Sequence, residues 1–515
     1  MNNQKSRNVG NSKRIAKNTL MLYFRQALIM LVSLYSVRVV LNVLGAEDYG
    51  VYNVTVGVIS AFGFLSAAMA TASQRYFSFE LGQNNFEKIE KTFCITFEIY
   101  IFLIFAIVLI AETIGIWFVW NKLVIPANRK IAAFWLYQTV VFSFVFTLIT
   151  TPYMALIIAH EKMDVYAWVS IAEAILKLAI VFLLRIIFFD KLILYGILLC
   201  AVSFIITALY RIYCRKHFSE SHFKFLWENS MFKEILSYSG WNLFGSASDV
   251  VKNQGLNILL NLFFGPVVNA ARGIAMQVSI STNSFAQNFS LSVKPQIIKK
   301  YANNENESLL SLIYISSKST FLLLYIFALP LMLEMHTVLA LWLKNVPESA
   351  EIFTILSFVE AIVTSISLPM MSLIQATGKI KWYQIIVGGI IICNLPISYC
   401  LLLFIKNPIV VFLVNIGISI IALSLRLIII KKEVPFFSVG YFLYKVIIPS
   451  LFVSMLSFIP SYSVSYFLEE SFLRLVITVI VSVISVSFFS YIFGLSKNEK
   501  IFFTNAIKEK IKWKK

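Results

Sequence analysis

Long apolar runs separated by short polar stretches dominate this chain. Runs long enough to cross a hydrocarbon core about 30 Å thick fall near residues 19–43, 51–73, 92–119, 132–159, 165–189 and 192–214. A second set lies near 236–264, 270–292, 311–333, 352–376, 382–405 and 409–430, and two more near 441–467 and 472–494 close the series. The pattern predicts an all-α polytopic membrane protein of about fourteen transmembrane helices. The boundaries of segment 13 are the least sharp, because Pro449 and Pro460 interrupt the run.

The pattern also repeats. "TPYMALIIAHEKMDVY" (Thr151–Tyr166) returns 217 residues later as "LPMMSLIQATGKIKWY" (Leu368–Tyr383), with seven identities in sixteen positions. Chance residue usage would give roughly one. At an offset of 220, "LNVLGAEDYGVYN" (Leu41–Asn53) falls on "NLFFGPVVNAARG" (Asn261–Gly273), placing Gly45 on Gly265, and further along Asn84 meets Asn304. Segments 1–6 and 7–12 therefore read as duplicated six-helix bundles, parallel in topology, with two helices added at the end. Pro152 and Pro369 sit at equivalent places, where a backbone bend is expected.

This gives a cytoplasmic tail at 1–17, a first bundle at 18–214, a cytoplasmic linker at 215–235 and a second bundle at 236–430. The last two helices occupy 431–496, and 497–515 forms a basic tail, either amphipathic on the anionic inner leaflet or simply solvated.

Composition agrees. Of 515 residues, 59% are hydrophobic and only 14% charged, and mean hydropathy is +0.80. Net charge is +18, which in a soluble chain would suggest nucleic acid. Here the basic residues gather in alternate loops: 29 Lys and Arg on one side against 7 on the other. The positive-inside rule then places both termini in the cytoplasm. No cleavable signal is evident in "MNNQKSRNVGNSKR". The five cysteines lie in or beside apolar runs without a CxxC, and read as small core hydrophobes.

At this point "LGAEDYGVYN", "SQRYFSFELGQNN" and "TPYMALIIAHEKMDVY" carry a resemblance to the multidrug/oligosaccharidyl-lipid/polysaccharide (MOP) exporter superfamily, and within it to the bacterial polysaccharide flippases of O-antigen and capsule repeat units. The resemblance implies a V-shaped pair of bundles with a central cavity lined by helices 1, 2, 7 and 8. It also implies export of a polyprenyl-pyrophosphate-linked oligosaccharide across a bacterial inner membrane by alternating access.

The residues themselves show polar stripes on those helices. Segment 8 carries Arg272, Met276, Ser279, Asn283, Gln287, Ser290 and Lys294 at steps of three and four. Segment 7 places Asn242, Ser246, Asp249, Asn253 and Asn257 on one side with Lys252 nearby. Lipid cannot satisfy these groups. Arg25, Arg38, Lys252 and Arg272 are candidate clamps for an anionic headgroup, since guanidinium forks match phosphate oxygens, and Asn283 and Gln287 are added as substrate contacts. Arg25 and Arg38 lie about 220° apart around a helix, so both face one cleft only if the helix bends; Arg38 and Arg272 could instead snorkel outward.

Asp249 and Lys252 read either as a neutralised pair or as a divided function, with Lys252 on substrate and Asp249 exchanging H⁺ or Na⁺. Glu360 lacks an intrahelical partner and is the second ion-coupling candidate. Glu173 and Lys177, four apart, form a structural pair. Glu47 and Asp48 suit the positive start of helix 2.

No catalytic residue, metal site or cofactor is expected. "HEKMD" at His160 lacks the second His of a zinc motif, and no phosphate-binding GxxxxGK[ST] occurs. Expected partners are the lipid-linked oligosaccharide, membrane lipids, a polysaccharide polymerase and glycosyltransferases. The rival readings are a cation-coupled multidrug exporter of the same superfamily and a membrane glycan polymerase or ligase, which would want a large outer loop that is absent from the pattern.

Overall fold

The chain is described by a computed structural model covering residues 2–60, 62–121, 123, 125–186, 189–343, 346–496 and 500. The basic tail at 497–515, apart from Lys500, lies outside the described residues, as do the side chains of residues 2–13 and of Arg38.

Every regular element among the described residues is a helix. In chain order they are α1 (Asn2–Ser60), α2 (Gly63–Gly82), α3 (Phe86–Asn121), α4 (Lys130–Ala159), α5 (Met163–Ile186), α6 (Lys191–His217) and α7 (Asn229–Ala302). There follow α8 (Asn306–Leu333), α9 (Met335–Trp342), α10 (Ala350–Ser365), α11 (Ser367–Thr377), α12 (Lys381–Phe404), α13 (Ile409–Glu433), α14 (Val439–Phe467) and α15 (Phe472–Gly494). The protein is an all-α, multi-pass membrane protein.

Nine helices among the described residues are long and apolar enough to span a bilayer, and two bent pairs raise this to eleven. The count of about fourteen is not reached by apolarity alone. Segments 7 and 8 of the sequence pattern lie inside α7, whose polar stripes dilute their hydropathy, and segment 1 lies inside α1, several of whose side chains are outside the described residues. Elsewhere large apolar side chains point outward, among them Phe105, Phe404 and Phe467. In a membrane this outward surface meets lipid and costs nothing.

The chain divides into two compact units, Asn18–Ser246 and Ala247–Lys515, the latter with Met1–Lys17. In the first unit Tyr153, Leu156 and Ile157 of α4 pack with Phe77, Phe93 and Leu184. In the second, Phe353 of α10 stacks on Phe412 of α13 at 4.3 Å between centroids, among Leu256, Leu260 and Phe358.

Local chemistry sets the helix starts. Asn85 accepts from the Lys88 backbone N–H, Asp190 from Leu192 and Ile193, and Ser471 from Arg474; each such cap is worth about 1 kcal/mol. The two aligned prolines behave differently. Near Pro369 the chain bends by 40° between α10 and α11, as expected. Pro152 lies within an uninterrupted α4, where the Thr150 and Thr151 hydroxyls bond back to the Phe146 and Thr147 carbonyls at 2.8 Å each.

Candidate functional site

The second unit builds a polar chain across four helices. Ser398 Oγ on α12 donates to Asn394 Oδ1 at 3.1 Å, and Asn394 Nδ2 donates to Asn415 Oδ1 of α13 at 3.0 Å. Asn415 Nδ2 then donates to Glu360 Oε2 of α10 at 2.5 Å. On Glu360 Oε1 converge Lys252 Nζ of α7 at 3.2 Å and Ser419 Oγ at 3.4 Å. Asn394 and Ser398 are fully buried, and the Lys252 and Glu360 side chains are 13% and 20% exposed. Three donors from two other helices thus converge on one carboxylate.

This alters the sequence expectation for the pair Asp249 and Lys252. Although one turn apart, they do not form an ion pair among the described residues; the long Lys252 stem reaches across to Glu360, 108 positions away. Asp249 stays exposed, within electrostatic reach of Lys252, Arg426 and Glu360. Glu360, without a partner on its own helix, finds three on others.

Arg272 is 4% exposed. Its guanidinium donates to the side-chain oxygens of Asn257 and, at 3.5 Å, Asn253. Among the described residues it has no carboxylate within ion-pair distance. It is a buried cation held by neutral amides, not a headgroup snorkelling outward. Asn283 is half-buried and Gln287 exposed, and neither joins this network. Farther along, Arg426 donates through Nε to the Tyr383 hydroxyl at 3.0 Å and through Nη1 to Ser367 at 3.3 Å.

The first unit holds a half-open cavity of about 640 Å³, with Arg25, Tyr49, Tyr52, Tyr166, Glu173 and Lys177 in its wall. The Arg25 guanidinium lies 4.5 Å over the Tyr166 ring, and its buried Nε has no acceptor. Lys177 bonds Glu173 at 2.6 Å, the structural pair that their spacing predicts, yet both also line the cavity. Tyr166 and Tyr383, aligned by the internal repeat, thus each hold an arginine, one by its ring face and one by its hydroxyl.

At the edge of the first unit Arg129 clamps two acids. Its Nε and Nη2 take both oxygens of Asp48 at 2.6 and 2.5 Å, and Nη1 reaches Asp190 Oδ2 at 2.6 Å. Asp48, three residues past the Gly45 break in α1, is thus also an ion-pair partner. Burial opposes the charged form of Asp190, but Arg129 and the Ile193 and Leu192 N–H groups outweigh it and hold the carboxyl below its usual value.

Sequence reasoning missed Asn394, Asn415 and Ser419, and the tyrosines of the cavity. Lone asparagines inside "IICNLP" and "FLVNIG" were the available signal, since an amide in a lipid-spanning run needs an interhelical partner.

No family model and no curated protein matches the chain. Solved structures do. A MATE transporter in complex with MaD3S superposes with a TM-score of 0.70 at 12% identity, covering 82% of this chain and 97% of that one. The MATE transporter ClbM in complex with Rb⁺ gives 0.66 at 14%, covering 84% and 96%. An outward-facing multidrug resistance MATE family transporter of the MOP superfamily gives 0.69 at 13%, covering 82% and 97%. The narrower resemblance to polysaccharide flippases rests on the sequence motifs alone; by fold, this chain is similar to the MATE transporters.

Proposed function

We propose that the chain is an exporter that works by alternating access, its two units rocking to expose a binding region first to one side of the membrane and then to the other. The observation that carries this reading is the MATE fold together with polar networks inside each repeat, which lipid-facing scaffolds do not need. No group is assigned a catalytic role.

For the cargo, the solved neighbours favour a cation-coupled multidrug exporter over a glycan flippase, and that reading stands first. A specific observation keeps the second. Among the described residues Arg272 is buried with no carboxylate at ion-pair distance, and Arg25 lines a cavity with its Nε unmatched by an acceptor. Such groups suit the pyrophosphate of a polyprenyl-linked oligosaccharide better than a drug cation. In that case the neighbouring genes would encode glycosyltransferases and a polymerase, and the membrane would be a bacterial inner membrane.

Two assays separate the readings. Efflux of a lipophilic cationic dye from cells expressing the chain supports multidrug export. Restoration of surface glycan in a flippase-deficient strain, lost on Arg272→Gln, supports the glycan reading. Orientation is tested on a cysteine-free background: Ala46→Cys should react with an impermeant maleimide from outside, and Lys162→Cys only after permeabilisation.

A further inference from the structure

The chain between α6 and α7 turns its polar side inward and its apolar side outward. Residues 222–228 form no regular element, and they climb along α3. The Lys224 N–H donates to Cys94 Sγ at 3.3 Å, the Leu226 N–H donates to Glu98 Oε1 at 2.7 Å, and the Trp227 ring lies 6.4 Å from that of Phe102. The Lys224 ammonium is held by Glu90. Facing away from the protein are Phe225, 73% exposed, Trp227, 55% exposed, and Leu226 between them. A linker surrounded by water would bury such side chains and show its polar groups. We propose that this strap is a membrane-interface anchor, with Phe225, Leu226 and Trp227 seated in lipid at the boundary between headgroups and acyl chains, in the leaflet on the side where α6 ends.

Two observations favour lipid as the occupant. The first is continuity with a lipid-facing surface. Phe102 belongs to an exposed row of α3 that continues through Phe105 and Leu109, on a helix long and apolar enough to span a bilayer. Trp120, exposed near the far end of the same helix, stands about 27 Å beyond Phe102 at 1.5 Å per residue. A hydrocarbon core is about 30 Å thick. Trp227 beside Phe102, and Trp120, are therefore about one core thickness apart, as the two aromatic belts of a membrane protein are. The second is backbone chemistry. Irregular backbone is tolerated at membrane depth only where protein satisfies its polar groups. Buried Cys94 and Glu98 do this for two N–H groups of the strap. Exposed Glu228 and Lys233 follow directly and keep the strap at the boundary, where their charges reach headgroup water. The middle of the 215–235 segment then lies in the membrane interface and not in the cytoplasm.

The test uses the full-length chain in lipid vesicles. Cys200, Cys393 and Cys400 are replaced by serine, while the buried Cys94 and Cys214 are kept, so that the contact between the strap and Cys94 survives. Phe225→Cys and Trp227→Cys are labelled with a nitroxide, and Lys216→Cys, exposed at the end of α6, is the water reference. Signal from the parent chain is subtracted. Size-exclusion elution checks folding, and Leu226→Cys replaces a variant that fails it. Collision with oxygen, which concentrates in lipid, is compared with collision with a water-soluble nickel chelate. The oxygen-to-nickel ratio should be severalfold higher at 225 and 227 than at 216. Equal ratios would place the strap in water and overturn the proposal. So would low access to both reagents, the result for a face covered by a second copy of the chain. Because the readout is lipid contact and not export, the outcome is independent of which cargo the protein carries.

Discussion

Gly45 and Gly265, 220 positions apart, turn the chain through the same backbone conformation: φ 80°, ψ 167° in the first and φ 79°, ψ −173° in the second. The relation extends downstream. Asn84 and Asn304, at the same offset, both take left-handed φ values of 54° and 56°. Their N–H groups bond Leu81 and Tyr301 carbonyls, and the next residues bond those of Glu80 and Lys300. The duplication read from residue identities is thus a duplication of turn geometry. Charge did not follow: Glu80 accepts from Lys88, whereas Lys300 donates to Glu305 and Ser308.

That shared conformation lies in a region essentially reserved for glycine. A methyl group added at Gly45 or Gly265 would meet no atom within 4 Å, so substitution carries backbone strain and no clash. Gly45→Ala and Gly265→Ala should each cost about 1–3 kcal/mol, read as a lowered melting temperature in detergent. A difference between the two larger than this range would mean that only one repeat depends on the turn.

Arg272 offers a separation of stability from function. A buried cation with only amide partners is a poor contributor to folding, so Arg272→Gln should melt within about 1 kcal/mol of wild type. If the guanidinium meets an anionic cargo, export of that cargo should fall at least about tenfold, the equivalent of 1.4 kcal/mol. A large loss of thermal stability would instead make Arg272 a structural strut.

The buried pair Glu334 and Arg474 should behave in the opposite way. Glu334 is 1% exposed and accepts from Arg474 Nε and Nη2 at 3.1 and 2.9 Å and from Thr478 at 2.9 Å. The cluster fastens α15 to the end of α8. Removing one partner strands the other, so Glu334→Gln or Arg474→Met should cost about 3–5 kcal/mol, while Glu334→Gln/Arg474→Met should cost less than either. A double-mutant cycle in thermal unfolding checks this.

Local spacing in the sequence shows what lies along one helix, and little of what lies across two. Glu173 with Lys177 and the glycine turns were legible because their partners are a fixed number of residues away. Lys252 with Glu360, and Arg129 with Asp48 and Asp190, were not, because each depends on how neighbouring helices are rotated about their axes. The same limit applies to helix number. Hydropathy finds the lipid-facing helices, whereas the polar stripes in α7 that carry candidate function also lower the signal that marks a span.

The Arg129 clamp predicts a pH response. The Asp190 carboxyl is held below its ordinary value in the folded state, so its contribution is fully present above the unfolded value, about pH 3.9, and is lost as pH falls through the lower folded value. Stability should not change on this account between pH 7 and 5, and should decline below about pH 4. Asp190→Asn keeps an N-cap for α6 but loses the charge. It should cost about 1 kcal/mol at neutral pH and flatten the acid limb of a melting-temperature profile; an unaltered limb would show that other carboxylates govern it.

The segment between α6 and α7 is strapped to α3 and is no free tether. Glu90, Cys94 and Glu98 form one stripe at steps of four. Lys224 Nζ meets Glu90 at 2.7 Å, the Lys224 N–H meets Cys94 Sγ at 3.3 Å, and the Leu226 N–H meets Glu98 Oε1 at 2.7 Å. A hydrogen bond to a charged acceptor is worth about 1.5–3 kcal/mol, so Glu98→Ala should raise the population of the released strap roughly tenfold or more. Limited trypsin digestion at Lys224 reports that population when opening is fast relative to cleavage, and the otherwise buried Cys94 should become reactive to maleimide in parallel. Cleavage at the wild-type rate in the variant would mean that packing of Phe223 against Phe97, 5.0 Å between centroids, is enough to hold the strap without the carboxylate.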